Sequence, residues 1–190
     1  MTKFSAAASE EAAIRLTAQL MAASARTAPK TRGIDNLTTL VIDGDDITAL
    51  AAAMEAKAKT EAESLAGIFV RDAANVRDSK AIVLIGVSRK PKKLEKPFDC
   101  GGCGYETCAQ MLQTGKRSGK DFNGPVCTFQ AIDLGVALGS AVKLAADLNI
   151  DNRMMYTIGA TVRQMGLLEA DIIVGIPLAA TGKNIYFDRR

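Results

Sequence analysis

The sequence predicts a fold of the α/β or α+β class, built as a single helix–sheet domain over residues 1–190. Three apolar runs have the length and composition of buried strands, and five or six stretches around them have helical periodicity. All four cysteines lie together, between the second strand and the helix that follows it. We therefore expect residues 98–128 to form an inserted segment within this domain.

The N-terminal half is predicted to contain three helices and two strands. Residues 9–28 read as an alanine-rich helix with Ser9 as its N-cap, ended by Pro29. Residues 37–42 are predicted to form a strand, followed by helices over residues 45–59, capped by Asp45 or Asp46, and 61–77. Residues 80–87 form the most apolar strand. The side chains expected to face the core are Ile14, Leu16, Leu20, Met21, Ile47, Leu50, Met54, Leu65, Phe69 and Val70.

The C-terminal half is predicted to be mostly helical. A short helix is expected over residues 107–113, a long amphipathic helix over residues 128–148, and another over residues 156–167. Residues 169–177 read as the third strand. The polar end, residues 180–190, is expected to run over the surface or over a partner subunit. The apolar positions of the long helix are Ile132, Leu134, Val136, Leu138, Val142, Leu144 and Leu148.

Composition excludes several classes of function. The net charge of +3 and the pI near 8.7 give no reason to expect a nucleic-acid partner. The absence of histidine removes Ser–His and Cys–His dyads. No apolar run reaches the roughly 18 residues needed to span a bilayer, and the start lacks the apolar core of an export signal. We therefore expect a cytoplasmic protein without a membrane span.

The four cysteines are predicted to hold a metal centre. Cys100, Cys103, Cys108 and Cys127 follow the spacing Cys-x2-Cys-x4-Cys-x18-Cys. Three clustered thiolates and a distant fourth are typical of a 4Fe–4S cluster, which takes one thiolate at each of four corners. Structural zinc sites more often use two short Cys-x2-Cys knuckles, and disulfide frameworks suit small secreted chains. A cluster is the leading interpretation, with zinc as the alternative.

Glycines beside these cysteines fit the same interpretation. Gly101, Gly102 and Gly104 leave room for the backbone to wrap a bulky group. Their backbone N–H groups are expected to point at sulfur atoms and to tune the redox potential.

The run Cys-Gly-x-Cys-Gly-x-x-Thr-Cys, followed by a lone cysteine near a proline, resembles the 4Fe–4S domain of corrinoid iron–sulfur proteins. The same domain occurs in ferredoxin-like subunits of membrane electron-transport complexes. In this sequence Val126 separates Pro125 from Cys127, whereas proline adjoins the last cysteine in many members. The whole chain resembles an uncharacterised family of ferredoxin domain-containing proteins. The resemblance implies iron–sulfur binding and redox work.

A second resemblance concerns the body of the chain. The helix, turn and strand from Ala22 to the end of the first strand look like those of flavin nitroreductases, and so does the last third. This implies a nitroreductase-like helix–sheet sandwich, a homodimer, and FMN at the subunit interface. The family's Arg-Ser-x-Arg phosphate grip has no counterpart before Ser9. We therefore expect the fold without a conventional flavin site, with Lys30 and Arg32 as the basic residues that could meet a phosphate.

The leading functional hypothesis is an electron carrier or redox subunit with a 4Fe–4S cluster. The first alternative is a flavin-dependent oxidoreductase in which the cluster relays electrons to bound FMN, and the second is a structural zinc module of an interaction protein. Residues 89–97, with two prolines and five basic side chains, read as a surface linker. They either form a solvated connector or dock an acidic redox partner protein. No residue is assigned a catalytic role.

Overall fold

The computed structural model describes residues 3–187, which are organised around a four-stranded antiparallel sheet of order β1-β2-β6-β5. The first half contains α1 (Ala6–Thr27), β1 (Leu37–Ile42), α2 (Asp45–Ala58), α3 (Glu63–Asp78) and β2 (Ala81–Val87). Between β2 and the next long helix lie α4 (Cys108–Gln113) and a hairpin of β3 (Arg117–Ser118) and β4 (Asn123–Gly124). The last part contains α5 (Thr128–Asp147), β5 (Asp151–Asn152), α6 (Tyr156–Met165) and β6 (Ile172–Ala179).

Helices cover both faces of the sheet. On one face α1 and α5 pack against alternate residues of β2, such as Val83 and Ile85. On the other face α2, α3 and α6 pack against the residues between them, such as Ile82 and Leu84. All seven residues of β2 are therefore buried, and this strand forms the centre of the molecule.

The predicted fold class is confirmed, and the three predicted strands correspond to β1, β2 and β6. The prediction was wrong about the caps of two helices. Ser5, not Ser9, caps α1, since the Ser5 hydroxyl accepts a hydrogen bond from the N–H of Ala8. Gly44 precedes α2 with a φ of 56°, and neither Asp45 nor Asp46 caps that helix with its side chain.

The predicted apolar faces were partly wrong as well. Alanines such as Ala18 and Ala25 lie at the core contact of α1. Alanine is small and compatible with either face, so the larger residues misled the assignment. Six side chains that were predicted to be buried are exposed in the structure: Leu16, Leu20, Val70, Ile132, Val136 and Leu148.

Close packing between α6 and β6 depends on one glycine. A Cβ atom on Gly159 would lie 1.7 Å from the carbonyl oxygen of Ile173. Any side chain here would push α6 away from the sheet, so Gly159 sets the distance between the two elements.

Among residues 3–187, α5 is the one helix long and apolar enough to cross a membrane by length and composition alone. Core helices meet the same criterion, and α5 packs against α1 and β2. However, only 39% of its most apolar 18-residue window is buried. A large part of the surface of α5 is therefore both apolar and exposed.

The described part of the C-terminal end folds back onto the start of β2. The Tyr186 hydroxyl lies 2.9 Å from the Ser79 hydroxyl, and burial raises the pKa of Tyr186. The prediction for this end also covers residues 188–190, which lie outside the described residues.

Candidate functional site

The segment that carries the cysteines begins and ends at one place. The N–H of Cys127 donates to the carbonyl oxygen of Arg89 at 2.9 Å. The carboxylate of Asp171, just before β6, accepts from the N–H of Arg89 at 2.8 Å and from the side-chain amide of Asn123 at 3.0 Å. Both ends of the segment are thereby fixed at the same end of the two central strands, where β2 ends and β6 begins.

Cys108 is placed by a helix start. Thr107 caps α4 in a capping box with Gln110, and Cys108 is the first residue of that helix. Its N–H donates to the carboxylate of Asp99 at 2.7 Å. This bond links the loop before Cys100 to the helix that begins at Cys108.

The loop of the first two cysteines is shaped by glycine. Gly101 and Gly104 have φ values of 72° and 86°, in the left-handed region, and the N–H of Gly104 donates to the carbonyl oxygen of Gly101 at 2.9 Å. A Cβ atom on Gly102 would lie 2.6 Å from the hydroxyl of Thr128, so this loop packs directly on the first turn of α5. The expectation that the Gly104 N–H would face sulfur is not met, because that donor closes the turn.

Cys127 lies at the N-terminal end of α5, as its N-cap. Burial is the main reason why its thiol pKa is raised, although the N–H groups of Gln130 and Phe129 stabilise the thiolate. Negative charge on Cys108 and Cys100 raises the pKa of the Cys127 thiol further.

The four cysteines form a graded set of free thiols. Cys100 is exposed, Cys103 and Cys108 are half-buried, and Cys127 is buried. Among residues 3–187, no three His, Cys, Asp or Glu side chains lie close enough to hold one metal ion in common. A cluster that takes one thiolate at each corner does not require the sulfurs to meet at a single point. Four free thiols and a glycine loop fit such a group better than a single ion.

Arg163 of α6 holds the hairpin that leads to Cys127. Its guanidinium donates to five acceptors on the hairpin, at 2.7–3.2 Å: the carbonyl oxygens of Gly119, Lys120 and Asp121 and the side chains of Ser118 and Asn123.

A buried ionic cluster adds a second attachment for the hairpin. Lys57 lies 3.1 Å from the Asp121 carboxylate and 3.2 Å from that of Glu61. Lys120 also pairs with Glu61, and its hydrogen bond is the main reason why the pKa of Glu61 is lowered. The hairpin is thus joined to the ends of both α2 and α6.

The linker after β2 is only partly a surface linker, contrary to the prediction. Arg89 and Lys92 are 6% and 4% exposed. Lys92 forms an ion pair with Asp133 of α5 and donates to the carbonyl oxygen of Ile34 at 2.7 Å. Burial alone would raise the pKa of Asp133, but the hydrogen bonds from Lys92 and Thr31 lower it. These two basic residues attach the linker and do not face solvent.

The two basic residues considered for a phosphate are engaged within the chain. The ammonium of Lys30 donates to carbonyl oxygens at the end of α1, including that of Ala28 at 2.8 Å. The guanidinium carbon of Arg32 lies 3.6 Å from the ring centroid of Phe98, and the group donates to the carbonyl oxygen of Lys96.

Sequence reasoning missed the residues that position the cysteines. Asp99, Asp133, Arg163 and Asp171 were not singled out, because each is an ordinary charged residue whose partner lies far along the chain. Asp99 had one usable signal, since it adjoins the first cysteine. For the other three the sequence offers no local signal.

A second feature lies at the opposite end of the sheet. A cavity of about 930 Å³ is bounded by the end of α3 and by the tail after β6, with Arg71, Asp78, Arg153, Lys183 and Phe187 among its lining residues. It adjoins the start of β2, whereas the cysteine segment adjoins the end of β2. At about 3.3 Å per residue, the seven residues of β2 separate the two by roughly 20 Å.

Comparison with known proteins gives two findings on sequence. Residues 123–189 match a family model described as "Uncharacterized protein containing a ferredoxin domain (DUF2148)". A protein of Archaeoglobus fulgidus, described only as uncharacterised, is 43% identical over 176 residues, which is 93% of this chain and 91% of the relative.

Solved structures with the same fold are described as nitroreductases or as oxidoreductases that use FMN. A nitroreductase from Desulfovibrio desulfuricans, solved in complex with FMN, aligns with a TM-score of 0.54 at 16% identity, over 92% of this chain and 78% of that one. A nitroreductase family protein from Clostridium novyi NT aligns with a TM-score of 0.51 at 14% identity, over 90% and 78%. At such identities the likeness shows the fold alone, and the predicted nitroreductase-like body is confirmed.

Proposed function

This chain belongs to the family of uncharacterised proteins that contain a ferredoxin domain (DUF2148), and from that membership we propose that it transfers electrons through a 4Fe–4S cluster. Cys100, Cys103, Cys108 and Cys127 are the proposed iron ligands. When bound, the cluster would supply reversible one-electron chemistry.

The observation that carries the proposal is the setting of Cys127. Cys127 is the buried N-cap of α5, next to the N–H groups of the first turn of that helix, and charge on Cys108 and Cys100 contributes to its raised thiol pKa. Such donors stabilise negative charge on thiolate sulfur and are a known lever on cluster potential. The loop of Cys100 and Cys103 packs on the same helix turn through Gly102 and Thr128.

The surrounding residues keep the ligands in place. Asp99 holds the start of α4, and with it Cys108, while Asp171 and Arg163 hold the hairpin that precedes Cys127. Burial on the α5 side restricts water at Cys127, whereas Cys100 remains exposed. Electrons would therefore enter and leave on the side of Cys100.

The test is purification without oxygen, followed by absorption spectroscopy and measurement of iron, sulfide, zinc and flavin per chain. We expect about four irons and four sulfides, with a broad visible band that dithionite bleaches. One zinc per chain without sulfide would contradict the proposal and favour the structural zinc module.

Substitution of each cysteine sharpens this test. Cys108→Ser and Cys127→Ser are expected to lose most of the iron while far-UV circular dichroism stays unchanged, because the body has its own core. Tyr105→Phe, in the same loop, is the matched control and should retain iron. Iron retained after loss of Cys127 would exclude this residue as a ligand.

The cavity between α3 and the tail favours a second candidate function, an oxidoreductase that also binds FMN. Its volume suits a mononucleotide, and Arg71, Arg153 and Lys183 could neutralise a phosphate. The FMN-bound nitroreductase of the same fold supports this candidate. The cavity is separated from the cysteine segment by the length of β2. An electron carrier without flavin therefore remains the leading proposal.

Flavin in the purified protein would support the oxidoreductase. The Arg153→Gln variant should then lose flavin without losing iron, since the two sites lie at opposite ends of the sheet. Protein without flavin that does not take up added FMN would leave the carrier alone.

The proposal includes a cytoplasmic homodimer. Four free thiols suit a reducing compartment. The outer face of α5 exposes Ile132, Gly135, Val136 and Gly139, an apolar surface suited to a second copy of the chain. Light scattering should give the mass of a dimer, and Val136→Glu should give a monomer. A monomeric wild-type protein would remove this part of the proposal.

A further inference from the structure

The basic residues of the linker divide into two groups. Arg89 and Lys92 are buried and attach the linker to the body. Lys90, Lys93 and Lys96 are exposed, and none of the three has an ion-pair partner among residues 3–187. The N–H of Lys96 donates to the carbonyl oxygen of Lys93 at 3.0 Å, so a turn brings these two lysines to one side.

Exposed apolar side chains lie among these lysines, together with the exposed carboxylate of Glu95. Leu94 is 53% exposed and Phe98 is 42% exposed. The ring of Phe98 is held by two contacts. Its centroid lies 4.7 Å from that of Phe129 and 3.6 Å from the guanidinium carbon of Arg32. We call Lys93, Leu94, Lys96 and Phe98 the lysine face.

The lysine face lies next to the cysteines in the chain. Phe98 is two residues before Cys100, and Phe129 is two residues after Cys127. The Phe98–Phe129 contact therefore joins the two flanks of the candidate site, on the side where Cys100 is exposed. A molecule seated on Phe98 would lie beside that exposed cysteine.

We propose that the lysine face docks a redox protein whose own surface is acidic around an apolar centre. The inference rests on the proposed function, because it requires a redox centre at the cysteines. Opposite charges steer such partners together, and a small apolar contact gives the complex its orientation. One electron lost at the cysteine segment is the one gained by the partner's one-electron centre, and no bond is made or broken.

The hairpin of β3 and β4 carries the rival surface. There Lys116 and Arg117 are exposed beside a hollow of about 510 Å³ walled by Tyr105, Phe122 and Pro125. The rings of Tyr105 and Phe122 are half-buried, and Lys120 of the same hairpin is paired with Glu61. The lysine face is favoured because Leu94 and Phe98 give it more exposed apolar surface than the rings of Tyr105 and Phe122 give the hollow.

The experiment uses flavodoxin, an acidic FMN carrier, as the probe, and the protein purified without oxygen. Carbodiimide cross-linking followed by mass spectrometry should join Lys93 or Lys96 to carboxylates of the probe. The double variant Lys93→Glu/Lys96→Glu should weaken binding about tenfold or more at low salt and abolish most of its salt dependence. The matched control Lys116→Glu/Arg117→Glu, with the same charge change, should weaken binding by less than about twofold.

A further variant separates the apolar contact from the charges. Phe98→Ala should weaken binding of the probe while the salt dependence stays as in the wild type. Cross-links at Lys116 would overturn the inference. So would a control variant that binds the probe as weakly as the lysine-face variant does. So would preference for cytochrome c, a basic probe, or cross-links between two copies of this chain through Lys93.

Iron and sulfide measured on the same samples distinguish two kinds of failure. Protein without a cluster contradicts the proposed function itself. Protein with a full cluster, and binding of flavodoxin that is unaffected by Lys93→Glu/Lys96→Glu, contradicts only the docking surface.

Discussion

The body of the molecule and its cysteine segment are held together by different forces. In the body, β2 is buried along its whole length and apolar clusters fill both faces of the sheet. In residues 98–127 only Met111, Asn123 and Cys127 are buried, and most of the contacts that fix the segment are hydrogen bonds and ion pairs.

This difference indicates where each region obtains its stability. Apolar burial gives about 25 cal/mol per Å², so the apolar clusters on both faces of the sheet are the main source of the body's stability. The segment buries too little apolar surface to offset its chain entropy, and must rely on its attachments and on the proposed metal centre. Substitutions in the body should therefore be followed by the free energy of unfolding, and substitutions in the segment by iron retention and local hydrogen exchange.

The largest expected effect lies where the two regions meet. Lys92→Met leaves the buried carboxylate of Asp133 without its cation, and we expect a loss of about 3–5 kcal/mol in the free energy of unfolding, measured with urea. Lys143→Met, which removes an exposed pair with Asp147, should cost no more than about 0.5 kcal/mol. Equal effects would show that the linker is not attached through this pair.

The same pair predicts a pH dependence. Because the pKa of Asp133 is lowered in the folded chain, its carboxylate stabilises the fold above the ordinary carboxyl pKa of 3.8. That contribution is lost as the pH falls through the folded pKa, when the carboxylate is protonated. Asp133→Asn should remove this part of the acid dependence, whereas Asp147→Asn should retain it.

Gly159→Ala tests the body alone. Its Cβ atom would collide with the carbonyl oxygen of Ile173, so α6 must shift, and we expect a loss of about 3 kcal/mol in the free energy of unfolding. Gly67→Ala, in open space within α3, should instead add about 0.5–1 kcal/mol. Iron per folded molecule should stay unchanged in both variants. A selective loss of iron in Gly159→Ala would mean that the two regions are not separable.

Arg163→Gln tests the attachment of the segment. Loss of the guanidinium should destabilise residues 117–124 by about 2 kcal/mol, seen as faster amide hydrogen exchange there, while β2 amides keep their protection. Arg77→Gln, which removes a surface pair with Glu55, is the control and should leave the hairpin unchanged. Faster amide exchange across the whole sheet would show instead that Arg163 contributes to the stability of the body.

The smallest effect compares two helix caps, one in each region. Thr107→Ala and Ser5→Ala each remove a side-chain acceptor at a helix start and should each cost about 1 kcal/mol. Thr107→Ala should lower iron retention under mild chelation because Cys108 begins its helix. Ser5→Ala should not change iron retention.

The sequence predicted the body better than the segment, for physical reasons. Strands such as residues 37–42 were found because continuous apolar runs between turn residues leave few alternatives. Faces of alanine-rich helices were misjudged, since alanine packs well on either side and Leu16 and Leu20 were taken as core.

Two-residue strands carry no periodic pattern, and so β3, β4 and β5 were missed. The four cysteines were found at once from their spacing, and their role as ligands stays a prediction. The linker was misread because the burial of Lys92 depends on Asp133, 41 residues away. A charge run shows no sign of a distant partner, so local composition favoured solvent.

The single hydrogen bond between Cys127 and Arg89 has a consequence for protein engineering. Because the loop leaves and re-enters the body at one point, the elements before and after it can keep their positions when the loop is removed. Residues 90–126 could be exchanged for a short turn, at the expense of the Lys92–Asp133 pair, and β2 would still lead into α5. Conversely, the excised piece could be grafted onto another strand–helix junction of similar spacing that supplies a cysteine at the position of Cys127, and it would carry the other three thiols with it.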